Sequence, residues 1–217
     1  MRFKKITYLL IVSFTVSFLI RTTGTLFPQI FQNVYIVKLT IITNLFFNVV
    51  QALFFICFLR SYTAGRKRPL KTVCLLSIIG SFLAAVTYLK KFCLIFKLDI
   101  FSLYLINRYV DAFIPLVSSF FILLFFVSFK KVQTHEEYKI LDRPISSAII
   151  GSVIFSLLHL IVMANLFIFH KFNWLEHTHR YVGLGTLSSI VLAAVFILHF
   201  YIRFFQYQQN QELQGHT

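Results

Sequence analysis

Long apolar runs separated by short basic clusters organise this chain. Six runs stand out, at residues 6–21, 34–59, 72–88, 109–129, 146–169 and 181–205. None alternates between apolar and polar with the period of a strand. Each is predominantly apolar over its length, as a span facing lipid must be. About 20 such residues cross a hydrocarbon layer of roughly 30 Å, so the pattern predicts an all-α fold: a polytopic membrane protein built as a bundle of about six transmembrane helices. The first and third runs are short and are expected to extend into their flanks. Residues 100–105 either lengthen the fourth helix or form an interfacial piece. Residues 1–205 form a single transmembrane helical domain, and residues 206–217 are expected to be a polar, frayed cytoplasmic tail.

The first run follows Arg2, Lys4 and Lys5, as the core of a signal peptide would. It leads into Arg21-Thr-Thr-Gly-Thr, with no small-x-small cleavage site, so it is expected to remain as a signal-anchor.

Composition agrees with the pattern. Of 217 residues, 58% are hydrophobic, 18% aromatic and 13% charged, against about 25% charged in soluble domains. A net charge of +14 would suggest nucleic acid in a soluble protein, but here the basic residues lie between apolar runs. They therefore set orientation and meet lipid headgroups, and no nucleic-acid partner is expected. Basic residues crowd the N-terminus, the second loop (Arg60, Arg66, Lys67, Arg68, Lys71) and the fourth (Lys130, Lys131, Lys139, Arg143). Arg21, Lys171 and Arg180 face them, and Lys90, Lys91 and Lys97 run against the trend. The tally predicts both termini in the cytoplasm, with the protein in the endoplasmic reticulum or plasma membrane. Cys57, Cys74 and Cys93 follow no metal or redox spacing and are expected to be inert buried thiols.

Polar residues inside spans carry the chemical information, because hydrocarbon offers them no partner. Thr40, Asn44, Asn48 and Gln51 recur at steps of four, four and three, along one face of the second helix, with Thr43 and Lys38 beside them. Such a stripe either glues helices together or lines a pocket for a lipid headgroup. In the fourth span Arg108, Asp111, Pro115, Ser118 and Ser119 share a face. Arg108 and Asp111 either pair or serve a site. Ser152, Ser156 and His159 share a face of the fifth, where His159 is either a functional group or an interhelical bond. His170, Glu176, His177 and His179 match no established zinc spacing, and Trp174 is expected to anchor at the interface. No metal and no cofactor are expected; the expected partners are membrane lipids and a lipid substrate or ligand.

Three segments resemble the androgen-induced protein family: Lys38-Leu-Thr40-Ile-Ile-Thr43-Asn44 with Gln51-Ala-Leu-Phe-Phe, then Arg108-Tyr-Val-Asp111-Ala-Phe-Ile-Pro115, then Asn173-Trp-Leu-Glu-His177. The resemblance implies a membrane threonine hydrolase that cleaves fatty acid esters of hydroxy fatty acids. It makes Thr40 the nucleophile, with Thr43 as a rival; Asn44 is then a candidate for holding the oxyanion or the headgroup. A threonine hydroxyl needs a base. The family's histidine after the Asp-x-Phe-Ile-Pro segment is missing here, where Leu116-Val-Ser118-Ser119-Phe120-Phe121-Ile122-Leu123 follows. His159 is the candidate replacement, and Asn48, Gln51, Arg108 and Asp111 are candidate substrate contacts. The expected function is thus a lipid ester hydrolase or a degraded relative of one. The alternative is a non-enzymatic membrane protein that binds lipid, serves as a partner subunit or acts as a small transporter.

Overall fold

The computed structural model describes residues 2–27, 34–62, 68–95, 108–132, 139–168 and 179–214. Among them lie six helices: α1 (Arg2–Leu26), α2 (Val34–Tyr62), α3 (Arg68–Ile95), α4 (Arg108–Val132), α5 (Lys139–Ile168) and α6 (His179–Gln214). All six are long and apolar enough to cross a membrane. The protein is therefore a six-helix integral membrane bundle.

The helix ends follow core packing more than hydropathy. α1 and α3 extend into both flanks, as their short apolar runs required. α5 begins at Lys139, ahead of the predicted residue 146, because Leu141 and Ile145 are fully buried. The polar tail does not fray at residue 206. α6 continues to Gln214, with Tyr207 and Gln208 buried and Tyr207 packed into the core. Residues 100–105 lie outside the described residues.

Each helix packs on its neighbours in sequence, and α6 closes back onto α1. Short links between successive spans make the ring up-and-down. Its outside is apolar: Leu19, Phe46, Phe82, Phe120, Leu157 and Val195 are exposed. Its inside carries Asn44, Asn48, Gln51, Ser81, Ser118 and Ser152, all buried. This inverts the polarity of a soluble protein, as lipid solvation demands.

Lipid tails are as apolar as a phenylalanine, so helices in a membrane associate through close contact and polar bonds. At the end bearing both termini, rings fill the centre. Phe58 of α2 meets Phe129 of α4 with centroids 5.0 Å apart, edge to face, and Phe126 of α4 meets Phe200 of α6 at 4.8 Å. Phe3 of α1 reaches Phe54 at 5.5 Å and Phe204 at 5.8 Å. Tilted and edge-on rings suit the aromatic quadrupole, adding about 0.5–1.5 kcal/mol per pair beyond burial. An α4–α5 clip closes the same end, where Lys130 Nζ donates to Ser146 Oγ at 2.7 Å and stands 3.8 Å from the Asp142 carboxylate. Both charges are well exposed, so this pair adds little.

Two glycines set close crossings. A Cβ on Gly80 would stand 3.1 Å from the Ser118 Cα, bringing α3 against α4. A Cβ on Gly151 would stand 2.7 Å from the Ala193 carbonyl oxygen of α6. Backbone cannot yield there as a side-chain tip can. Gly151→Leu is therefore expected to destabilise the bundle by about 2 kcal/mol or more. Thermal unfolding in detergent measures this, and an unchanged midpoint would mean that α5 and α6 are not held this close.

Candidate functional site

Beyond the aromatic plug, side chains facing the ring's centre become smaller and more polar, and a cavity of about 170 Å³ opens between the helices. All six helices contribute walls. Phe14, Phe18, Phe47, Phe155 and Ile197 supply apolar surface, and Asn48, Gln51, Ser118, Ser119, Ser152 and His159 supply polar groups. Tyr201 joins the two regions. Its ring packs on Phe54 at 5.4 Å and Phe200 at 5.5 Å, and it also lines the cavity.

The α2 stripe has the two roles that its spacing allowed, divided along its length. Asn44 is glue: Ser17 of α1 donates to its Oδ1 at 2.9 Å, while its Nδ2 donates to the Thr40 carbonyl at 2.6 Å. Asn48 Nδ2 donates to the Asn44 carbonyl at 2.7 Å, and the residue lines the cavity. Gln51 does both, accepting from Ser81 of α3 at 3.2 Å while lining the cavity. The Gln51 amide lies beside the Tyr201 hydroxyl, but that hydroxyl makes no hydrogen bond of full geometry among the described residues.

On the opposite wall, Ser156 of α5 donates to Ser119 of α4 at 3.4 Å, and Ser119 donates to the Leu116 carbonyl at 2.8 Å. His159 Nδ1 lies 2.9 Å from the Phe155 carbonyl. A carbonyl only accepts, so Nδ1 carries the proton in that bond, and Nε2 is the acceptor of the neutral ring. Pro115, inside α4, lines the cavity and cannot donate to the carbonyl one turn earlier. Ser152 Oγ is buried with no partner among the described residues, and Tyr201 Oη has the Gln51 amide beside it without full hydrogen-bond geometry. Two wall hydroxyls thus have unused hydrogen-bonding capacity.

The cavity gathers Asn48, Gln51 and His159 from among the predicted site residues. Thr40 and Thr43 are not among its walls. Thr40 Oγ1 donates to the Ile36 carbonyl at 2.7 Å, and Thr43 Oγ1 lies 2.9 Å from the Leu39 carbonyl and 3.1 Å from that of Thr40. Each hydroxyl is tied to its own helix, a habit of threonine in helices. Arg108 and Asp111 stand in the first turn of α4, where only the backbone is described. His170, Trp174, Glu176 and His177 lie outside the described residues, among which no group of three or more potential metal ligands occurs.

Ser17, Ser81 and Tyr201 escaped prediction. Ser77, Gly80, Ser81 and Ala84 form a small-residue face on α3 that spacing alone can reveal. Tyr201 sits in the run Phe200-Tyr-Ile-Arg-Phe204 and has no such signal. No protein-family model, curated protein or solved structure matches the chain.

Replacing Asn44 by Leu removes the α1–α2 bond and leaves the Ser17 hydroxyl without its acceptor. The expected cost is about 1–2 kcal/mol. Ser152→Ala removes a hydroxyl with no partner and is expected to leave the unfolding midpoint of delipidated protein unchanged or raised. A midpoint falling equally in both variants would overturn this division of the polar groups.

Proposed function

We propose that this integral membrane protein binds a membrane lipid, taking its polar part into the cavity between the helices. One observation carries the reading. A closed ring of spans, packed solid with aromatic rings at one end, has amides, serines, a histidine and a tyrosine around a cavity further along. Polar groups in hydrocarbon cost free energy unless they bond, and residues that only glued helices together would not need to border a space. The apolar walls beside them suit hydrocarbon, as ligand pockets commonly combine a greasy lining with a few placed polar groups.

Ester hydrolysis is the second reading, supported by the resemblance of the α2 segment to a threonine hydrolase family. It needs Thr40 or Thr43 to release its helix carbonyl and approach a base. His159, with Nε2 as acceptor, is the base on the cavity wall. The basic clusters at Arg60–Lys71, Lys130, Lys131 and Arg143 support a cytoplasmic position for both termini, in the endoplasmic reticulum or plasma membrane.

Native mass spectrometry of the gently solubilised full chain tests the binding reading. A co-purifying lipid is expected, and its return to delipidated protein should raise stability by about 2.7 kcal/mol at a hundredfold excess over Kd. A chain that retains no lipid and gains no stability from a total lipid extract would sink it. For hydrolysis, Thr40→Val and Thr43→Val are expected to differ in cleavage of a fatty acid ester of a hydroxy fatty acid. Equal rates in both variants and in the unaltered protein would remove both threonines as nucleophiles.

A further inference from the structure

Resting on the lipid-binding reading, we infer that the cavity selects an uncharged lipid whose polar part is a hydroxyl or carbonyl, as in a sterol or an acylglycerol, and rejects phospholipids. Three observations converge. The first is charge: among the described residues, no Asp, Glu, Lys or Arg lines the cavity. Arg60, Lys71, Lys130 and Arg143 stand at the helix ends beyond the aromatic plug, and at the cavity's own end Lys91 Nζ lies 5.4 Å over the ring of the wall residue Tyr88 without itself being a wall. A phosphate seated among these walls would lose its water with no described Lys or Arg among them to replace it. An unpaired charge in such a setting is strongly disfavoured.

The second is hydrogen-bonding capacity. Ser152 is 1% exposed and its hydroxyl has no partner among the described residues, while the fully buried Tyr201 hydroxyl has only the Gln51 amide beside it, short of full hydrogen-bond geometry. Both residues line the cavity, so a group inside it can reach the Ser152 hydroxyl and the remaining bonding capacity of Tyr201. Each hydroxyl can donate one bond and accept others. An alcohol can answer both roles, and an ester carbonyl can accept from both. An alkyl chain can do neither.

The third is size. A cavity of about 170 Å³ is near the roughly 150 Å³ known to hold one benzene. That admits a ring or a glycerol-like unit against walls that include Phe14, Phe47 and Ile197. A zwitterionic headgroup with its phosphate and amine is larger and brings charge of both signs.

Photoreactive lipids test this on the full chain in nanodiscs. The probes are a diazirine sterol, a diazirine diacylglycerol and a diazirine phosphatidic acid with the same acyl chains. Cross-linked peptides are mapped by mass spectrometry and competed with excess unlabelled lipid. At least one neutral probe is expected to label α5 near Ser152–His159 or α6 near Tyr201 in a competable manner. Phosphatidic acid should label those peptides at least tenfold less. Sterol and diacylglycerol arms tell which source supplies the hydroxyl. The Ser152→Ala, Tyr201→Phe pair should reduce competable labelling fivefold or more while the delipidated variant keeps a cooperative unfolding transition. Equal labelling by phosphatidic acid overturns the neutral-lipid inference and leaves lipid binding standing. Competable labelling that the double variant leaves unchanged also overturns it. No competable labelling of cavity peptides by any probe overturns both, leaving a cavity that serves only water.

Discussion

Within hydrocarbon there is no water to complete a polar group's hydrogen bonds and no hydrophobic gain from bringing two apolar surfaces together. That constraint governs this molecule. It makes each span helical, so that backbone donors and acceptors close on themselves. It also leaves close packing and side-chain hydrogen bonds as the forces that hold one helix to another. The ring follows from both. Gly80 and Gly151 let backbones approach where packing must be tight. Ser17 with Asn44, Ser81 with Gln51, and Ser77 with the Phe121 carbonyl stitch neighbouring helices where polar groups are available.

A ring of six helices has a hole unless something fills it, and this protein fills only part. The large rings of α2, α4 and α6 meet across the centre at the end carrying both termini. Further along, serines of α1, α4 and α5, the amides of α2 and Ala84 of α3 stand among the walls of the cavity left there. Tyr201 sits at the change from one regime to the other, with its ring in the plug and its hydroxyl beside Gln51. The plug is a densely packed floor, and the space above it is where chemistry or binding has room.

That division gives the polar residues of α2 unequal roles. Asn44 is satisfied by Ser17 and a helix carbonyl, so it holds the scaffold. Asn48 and Gln51, one and two turns further, border the cavity. Thr40 and Thr43 keep their hydroxyls on their own helix, and His159 faces the cavity from α5 with Nδ1 engaged by Phe155. The lipid-binding reading uses groups that already share one space. The hydrolytic reading asks two elements to rearrange toward each other.

Much of this was legible in the chain. The number of spans, their all-helical character and the inward face of α2 follow from composition and spacing, because a lipid solvent leaves few alternatives for an apolar run. The serines of α4 and α5 and the histidine at residue 159 also announced themselves as polar groups where none is free of cost. Helix ends were less legible: buried Leu141, Ile145 and Tyr207 extend α5 and α6 beyond what hydropathy marks, since packing against other helices decides where a helix stops. Tertiary structure alone decided which polar groups are glue and which are wall. Spacing places residues on one face of a helix. What that face meets depends on the rotation and depth of five other helices, and those are set by contacts between residues far apart in sequence.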